Sequence, residues 1–557
     1  MDVTQGNRVF DSLYDEELPA MSRGGCTPAW WKAVEERAES APADIVPGLL
    51  ASTLESAGTG VRAGGGASCT FSSTRSREAR AAPPKKLSGT LRSHAAPTFE
   101  ARSSNLHRLP ALVRKLHGND LLIAIERAPP EKNGALAVGI AGRGFDGNLT
   151  SDSTRTDGYV LSTDLAPTVL GRFGIVVPSA MSGQPIRADG TVDVAAIESL
   201  GDRMSVISGR RGPVIGISLL VWFLVLAFSA LFARGWVTRV GVKLLGLSVV
   251  YLPLVLLIGA ALEPGQGAEQ LLVMAGAPVL AAITVAALTG YRSLAVASGL
   301  VVGAYAVDAV AGSPLTTLSL LGPNPGLGVR FYGIGNELEA LLGVLVVAGT
   351  GAALQGFAPR VPARACATWF LAVGLSCALV FAAGRFGADV GAAIVLPIGA
   401  AAAASKIASS RRRASLLVLA AALAFVGLIA AIDLLTGANA HLTRSVLDAG
   451  GLGDLADVAQ RRLQLSAHSF LRPVLVVFLP LVVVLVTLAV RRRDRLRRLL
   501  EESPAVEAGL LGALVATVAG TLVNDSGALI LEIGTAYLLI FVTFAWAEGR
   551  PRPDLPG

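Results

Sequence analysis

Three short polar motifs interrupt long apolar stretches in the second half of the chain. They read RFYGIGNELE at 330–339, GRFGAD at 384–389 and VNDSG at 523–527. Arginine side chains hold phosphate groups, and carboxylates act as general bases or bind cations. We therefore predict catalytic roles for Glu337, Glu339, Asp389 and Asp525, and substrate-binding roles for Arg330, Asn336, Arg385, Asn524, Glu532, Asp308 and Arg472.

These polar groups are costly, because a charged side chain inside a membrane span costs about 2.5–3.5 kcal/mol on insertion scales. Such groups usually face a cavity, so we expect the motifs to line one outward-facing polar pocket. Each motif also allows a structural role. Arg385 and Asp389 have the spacing of an intrahelical ion pair. Asn524 can cap the following helix, and Glu337 and Glu339 gain from the helix dipole without any ligand.

The glycines of RFYGIGNELE predict an irregular entry to the helix that follows. Gly333 and Gly335 allow a bent backbone, and irregular backbone at membrane depth is tolerated where it lines a cavity or is covered by protein. We expect this segment to form a re-entrant rim. Arg330 would face an anion, and Asn336 and Glu339, three positions apart, would share one face of the helix.

Apolar helices must position these motifs. Hydrophobic residues make up 52% of the chain and charged residues 16%, whereas soluble domains carry about 25% charged residues. A span needs about 20 apolar residues, and such runs recur about eleven times after residue 213. They are centred on 214–233, 241–262, 269–289, 294–311, 336–355, 366–383, 387–404, 414–434, 473–490, 505–523 and 527–547.

Basic loops alternate along this bundle and predict its orientation, because short cytoplasmic loops collect Lys and Arg. They follow the first, third, fifth, seventh and ninth spans, whereas Arg210 and Arg211 before the first span are an exception. We predict a multi-pass plasma-membrane protein with its N-terminal region outside and its C-terminus inside. These loops and a basic linker account for the net charge of +7, so we expect membrane lipids, not nucleic acid, as partners.

The polar N-terminal region precedes this bundle. Its start, MDVTQGNRVF, has neither the basic nor the apolar part of a signal sequence, so we expect the native reading frame to begin upstream. We divide the chain into a fragmentary outer part at 1–60, a low-complexity linker at 61–104, an extracytoplasmic α/β domain at 105–212, and the bundle at 213–557 with an outer loop at 436–472.

Strand and helix patterns alternate in the α/β domain. The runs DLLIAIE, ALAVGIAG and GYVLST predict strands. TDLAPTVLGRFG predicts a helix, capped by Thr163 or Asp164 and ended by Gly174.

The segment STRTDGYVLSTDLAPTVLGRFGIVVPSAMSGQPI, at 153–186, resembles the closing part of the alkaline-phosphatase-like superfamily, which includes sulfatases and cofactor-independent phosphoglycerate mutases. The resemblance extends over 119–187 and implies that fold. It also implies two metal ions held by Asp and His around a Ser or Thr nucleophile. Where that family has a metal-ligating His, this chain has Ser151, Asp152 and Asp157. We therefore expect a degenerate domain without a metal site.

The motifs RFYGIGNE, GRFGAD and VNDSG are similar to those of a bacterial family of multi-pass envelope proteins whose N-terminal domains also look phosphatase-like. This resemblance implies the same domain arrangement and the same choice of site residues. In the outer loop, residues 454–465 have the pattern of an interfacial helix, with arginines that would hold lipid phosphates.

Three functions fit these observations. The bundle is expected to process or transfer a lipid-linked phosphate or glycan, with arginines holding phosphate and a carboxylate acting as base or cation ligand. Alternatively it is a transporter or flippase that uses Glu532 and Asp308 as coupling carboxylates. A third reading is a membrane-anchored binding or scaffold protein with a non-catalytic phosphatase-like domain. The sequence names no cofactor.

Overall fold

The computed structural model describes residues 28–40, 45–64, 98–102, 106–126, 135–232, 235–327, 330–408, 479–524 and 526–549, with a few positions between 463 and 471. The chain divides into two compact units, Met1–Gly201 and Asp202–Gly557. The sequence placed this boundary at residue 212. Residues 202–211 of the helix over 194–211 belong to the second unit, and their Arg203 and Arg211 bond to Glu269 and Glu337 of the same unit.

The first unit consists of short elements. In chain order they are α1 Pro28–Ser40, α2 Leu49–Ser56, β1 Gly60–Gly64, β2 Thr98–Arg102, α3 Leu109–Val113, β3 Leu121–Ile125, β4 Val138–Gly142, β5 Asn148–Thr150, α4 Leu165–Arg172, β6 Arg187–Asp189 and the start of α5 Val194–Arg211.

The described strands of this unit form three two-stranded sheets. β1 pairs with β2 in parallel, and except for Gly60 both strands lie inside the segment assigned to the linker. β3 pairs with β4 in antiparallel register, which confirms the strands predicted at DLLIAIE and ALAVGIAG. β5 pairs with β6, also antiparallel. These two-stranded sheets are smaller than the layered α/β sheet that the alternating pattern predicted.

Helix α4 begins and ends close to the predicted limits, but the predicted side-chain cap is wrong. Asp164 is the N-cap residue, and its side chain accepts a hydrogen bond from the Leu161 backbone N–H, before the helix, at 2.9 Å. Gly174, with φ of 68°, follows its end in the left-handed conformation that favours glycine. Buried residues of α2 and α4 form a small core together with Met181.

The strand predicted at GYVLST is wrong. Residues 158–161 have no strand pairing, and 162–164 form a 3₁₀ turn. Local hydrogen bonds account for the difference: the Thr154 hydroxyl donates to the Tyr159 carbonyl at 2.7 Å, and the Gly158 N–H donates to the Leu149 carbonyl at 2.8 Å. These bonds hold the segment as a turn.

Long apolar helices dominate the second unit. A π-helical turn at Gly212–Gly216 joins α5 to α6 Ile217–Phe232. The others are α7 Gly235–Leu262, α8 Gln266–Ala287, α9 Tyr291–Val310, the short α10 Pro314–Leu318, α11 Asn336–Phe357, α12 Ala363–Ala382, α13 Val390–Ile407, α14 Leu479–Arg491, the short α15 Arg493–Leu500, α16 Pro504–Val523 and α17 Gly527–Glu548.

Within the described residues, nine helices are long and apolar enough to cross a membrane, counting α5 and α6 as one. Each coincides with one of the predicted spans. Of the other two predictions, 473–490 overlaps the 13-residue helix α14. The span at 414–434 lies outside the described residues, as does the helix predicted at 454–465. The predicted turn at GRFGAD separates α12 from α13.

Helix α11 is the most enclosed of these spans and packs against α9, α13, α16 and α17. Small residues let the backbones approach closely. An added Cβ on Gly351 of α11 would lie 3.2 Å from the Cα of Gly509 on α16. Close approach at small residues is a usual source of helix association in membranes. In the first turn of α11, Glu339 is buried, whereas Asn336 and Glu337 are partly exposed.

Candidate functional site

The rim segment, residues 330–335, is non-helical, as its glycines predicted. The Ile334 N–H donates to the Gly387 carbonyl at 3.0 Å, which joins the rim segment to the turn before α13. The Gly333 N–H donates to the Ser313 hydroxyl at 3.0 Å. Gly333 has φ of 79°, and a Cβ there would collide with the Gly387 carbonyl oxygen. Glycine is therefore required at this position by both conformation and space.

Arg330 connects the same two segments. Its guanidinium donates to the Ile334 carbonyl at 2.7 Å and to the Ala388 carbonyl at 3.3 Å. These bonds use part of its donor capacity, since a guanidinium carries five N–H donors. Arg330 thus fixes the rim segment against the turn over 383–389.

Glu339 is the centre of a buried polar cluster. Its side chain is 2% exposed. The Asn524 side-chain amide donates to Glu339 Oε2 at 2.6 Å and to Asn336 Oδ1 at 3.2 Å. A Cβ on Gly391 of α13 would collide with the Glu339 carboxylate. Asn336 and Glu339 therefore share one helical face, and residues of α11, α13 and the α16–α17 turn meet at this point.

Two members of this cluster also accept hydrogen bonds from backbone N–H groups. Asp389 accepts a hydrogen bond from the Gly391 N–H at 3.0 Å and begins α13. Asn524 accepts one from the Ser526 N–H at 3.0 Å, which holds the turn between α16 and α17 while its amide donates to Glu339, so the predicted cap of α17 by Asn524 is wrong. Residues 383–389 form a turn, so an intrahelical pair of Arg385 with Asp389 is wrong.

The motifs converge as expected, and their described residues are mostly buried. The open polar pocket around them stays a prediction, because Asp525 and most of the outer loop lie outside the described residues. Glu339, Asp389 and Asn524 are buried, because the Asn524 amide and the close approach of Gly391 occupy the space around the carboxylate. Arg385, at the turn above this cluster, is exposed. Asp525 and Arg472 lie outside the described residues.

The remaining three predicted residues lie elsewhere in the second unit. Glu337 forms an ion pair with Arg211 at 3.2 Å. Asp308 is buried and accepts hydrogen bonds from the Leu315 and Thr316 N–H groups at 3.0 and 2.8 Å, so it holds the start of α10. Glu532 lies on α17, and its Oε1 is buried without a hydrogen-bond partner in the described part of the chain.

An ion cluster that sequence reasoning missed lies at the same end of the bundle. Glu269 of α8 is 1% exposed and pairs with Arg203 at 2.8 Å and with Arg210 at 3.1 Å. The sequence did contain a signal, since Arg210 and Arg211 break the alternation of basic loops. Their pairing with Glu269 and Glu337 accounts for that exception.

In the first unit, the hydroxyl and carboxylate groups at 151–164 bond to one another. Asp164 is fully buried and accepts hydrogen bonds from the hydroxyls of Ser151 at 2.6 Å and Ser153 at 2.5 Å. Burial raises the pKa of Asp164, and these hydrogen bonds oppose that rise. Asp152 is exposed and pairs with Arg187 at 2.7 Å. The hydrogen bond from Arg187 lowers the pKa of Asp152.

The chemistry of the cluster around Glu339 follows from three helix N-termini. α11, α13 and α17 all begin there, and each N-terminus carries a partial positive charge of about +0.5. That environment stabilises negative charge, whether on Glu339, on Asp389 or on an anionic ligand. Among the described residues, His, Cys, Asp and Glu form no group with the arrangement of a metal site.

These features define the described chain as a multi-pass helical membrane protein with a buried polar cluster at one end of its bundle. Comparison with protein-family models, with curated proteins and with solved structures finds no match to the chain.

Proposed function

We propose that this protein is an integral cell-envelope protein that processes or transfers a lipid-linked phosphate or glycan at the site around Glu339. The observation that carries the proposal is the meeting of two sequence-distant motifs on one buried carboxylate: Asn524 and Glu339, 185 positions apart, are hydrogen-bonded. Gly391, two residues after the third motif, lies against the same carboxylate. Polar groups retained at an insertion cost usually serve a site.

A groove beside the rim segment supports a lipid substrate. It has a volume of about 630 Å³ and lies between α7, α9 and α10. Gly299, Gly303 and Val307 of α9 line it, and Asp308 and Leu315 close one end. An apolar groove on membrane-spanning helices suits a hydrocarbon tail. Its closed end belongs to the segment whose Ser313 hydroxyl accepts a hydrogen bond from the rim segment, so a headgroup would lie near the rim.

In this proposal each polar group has a role. Glu339 is the general base, and Asn524 and Gly391 position its carboxylate. The exposed Arg385 holds phosphate, as arginine forks do. Access to Glu339 requires the rim segment to move, because the carboxylate is buried. A degenerate phosphatase-like outer domain would bind partners or substrate without catalysing a reaction.

Glu339→Gln tests the proposal in proteoliposomes that contain a radiolabelled polyprenyl-phosphate sugar. Loss of a general base lowers a rate by about 10²–10⁴-fold, so we expect product formation to fall by at least 100-fold. Gly391→Ala should reproduce much of this loss, because it displaces the carboxylate. Thin-layer chromatography separates the lipid-linked sugar from its products.

Glu507→Gln is the matched control. Glu507 pairs with Lys406 at 2.8 Å, is partly exposed and lies at the other end of the bundle. The Glu507→Gln variant should form product at the wild-type rate. Abundance and thermal unfolding of each variant show whether it is folded. A folded Glu339→Gln protein with an unchanged rate would contradict the proposal.

A transporter or flippase is the second candidate, favoured by Glu532. A carboxyl oxygen within a span, buried and without a described partner, is typical of a coupling group in transport. In that case a fluorescent lipid phosphate would change leaflets without chemical change. Quenching of the outer leaflet by dithionite would detect such movement, and Glu532→Gln would abolish it.

A further inference from the structure

An arginine-lined concavity lies at the end of the bundle opposite Glu339. Helix α14 ends at Arg491, and α15 follows directly before α16. The concavity has a volume of about 400 Å³ and is lined by Arg491, Arg492, Asp494, Arg495 and Arg498. We call Arg491, Arg492, Arg495 and Arg498 the arginine site. It shares no residue with the site proposed above.

The arginine site includes only some of the arginines between residues 491 and 498. Arg495 and Arg498, three positions apart, share one face of α15, and Arg491 and Arg492 lie at the junction between α14 and α15. On the other side of α15, Leu500 packs into the bundle core. Arg493 and Arg497 belong to the same short helix but do not line the concavity.

The charges of the arginine site are unbalanced. Four guanidinium groups surround one carboxylate, that of Asp494. Within the described residues, none of the four forms an ion pair with an acidic side chain. Like charges held together repel one another, and an anion placed among them relieves that repulsion. Arginine forks match phosphate oxygens in geometry as well as charge.

The position of the arginine site identifies the source of the anion. Arg491 is the last residue of an apolar helix, and the charged heads of such terminal arginines lie at the membrane surface. Phosphate groups of anionic lipids occupy that depth, and basic residues beside a membrane attract them. We propose that the arginine site binds the phosphate headgroup of an anionic phospholipid. This inference is independent of the proposed function.

Native mass spectrometry of the full chain with added phosphatidylglycerol tests this inference. The double variant Arg495→Gln/Arg498→Gln should bind phosphatidylglycerol at least 10-fold more weakly than wild type. The control Arg493→Gln/Arg497→Gln removes the same charge from the same helix and should stay within twofold. Arg495→Lys/Arg498→Lys keeps the charge but loses the forked geometry, so its affinity for phosphatidylglycerol should be intermediate. This variant provides the test if the double Gln variant does not fold.

Two further probes separate the sources of phosphate. Phosphatidylcholine should bind with similar weak affinity to all variants, because its headgroup has no net charge. Inorganic phosphate at the same concentration should not displace phosphatidylglycerol. Equal losses in both double Gln variants would show that total charge matters and not this face. Displacement by inorganic phosphate would indicate a site for soluble anions. Either result would overturn the inference.

Discussion

Two aspartates of the first unit show how burial determines the contribution of a hydrogen bond to stability. Asp164 is fully buried and accepts from two hydroxyls and from the N–H groups of Leu161 and Gln184. Asp152 makes two bonds to Arg187, yet its side chain is 61% exposed. Solvent screens the second interaction, so it contributes little.

Replacing these aspartates should have very different effects on stability. Asp164→Ala leaves buried donors without an acceptor, each worth about 1–3 kcal/mol, so we expect a loss near 3 kcal/mol. Asp152→Asn should cost less than about 1 kcal/mol at neutral pH. Pulse proteolysis of the full chain in detergent across a urea series measures both. Equal losses would contradict the structural assignment of Asp164.

The pH dependence of the Asp152 pair has a definite sign. Its pKa in the folded chain is below the ordinary value of 3.8. The stabilising contribution is therefore present above pH 3.8 and is lost as the pH falls through the lowered pKa. When the urea series is repeated at decreasing pH, the small difference in the free energy of unfolding between wild type and Asp152→Asn should disappear once the pH is below the pKa of Asp152.

At the scale of elements, the rim segment and the turn over 383–389 hold each other in place. Arg330 and Ile334 bond to carbonyls of that turn, and Gly333 fits against Gly387. Irregular backbone inside a bundle is tolerated when its polar groups are satisfied by protein in this way. The rim segment is therefore part of the packing that positions Glu339.

Gly333→Ala tests this interdependence. Gly312 is a matched control, because its φ of 99° is also positive but a Cβ there meets nothing within 4 Å. Gly312→Ala should cost about 1–2 kcal/mol, for the conformation alone. Gly333→Ala adds a collision with the Gly387 carbonyl oxygen, so its loss should exceed that of the control by about 2 kcal/mol. Unfolding in mixed micelles measures both, and equal losses would refute the close contact.

The elements that the sequence predicted well are those whose signal is local. Apolar runs of sufficient length gave the nine described spans, and the insertion cost of Glu339 and Asn524 predicted that they meet. Partners far apart in sequence were missed. Arg203 and Glu269 are 66 positions apart, and a separation of that length does not indicate whether two residues are in contact. The burial of Glu339 was missed because it depends on Gly391, whose close approach requires the packed helices.

For the whole molecule, the distribution of charge between the two ends of the bundle bears on orientation. At the end opposite Glu339, exposed arginines at 491–498 accompany the pairs Lys243–Glu548 and Lys406–Glu507. At the Glu339 end, Arg203, Arg210 and Arg211 share Glu269 and Glu337, so most of their charge is compensated. Most of the uncompensated positive charge of the described bundle therefore lies at the end that carries residues 491–498, and the positive-inside rule predicts that this end is cytoplasmic.

Cysteine labelling in intact cells tests this orientation. Asn324, in the loop between α10 and α11, is buried and suits labelling poorly. Gly265, before α8, is exposed and has room for a side chain, and Arg360, between α11 and α12, is exposed at the other end. In a cysteine-free background, Gly265→Cys should react with an impermeant maleimide in intact cells, whereas Arg360→Cys should react after the membrane is opened. The reverse pattern would place the Glu339 cluster at the cytoplasmic face and contradict the predicted orientation.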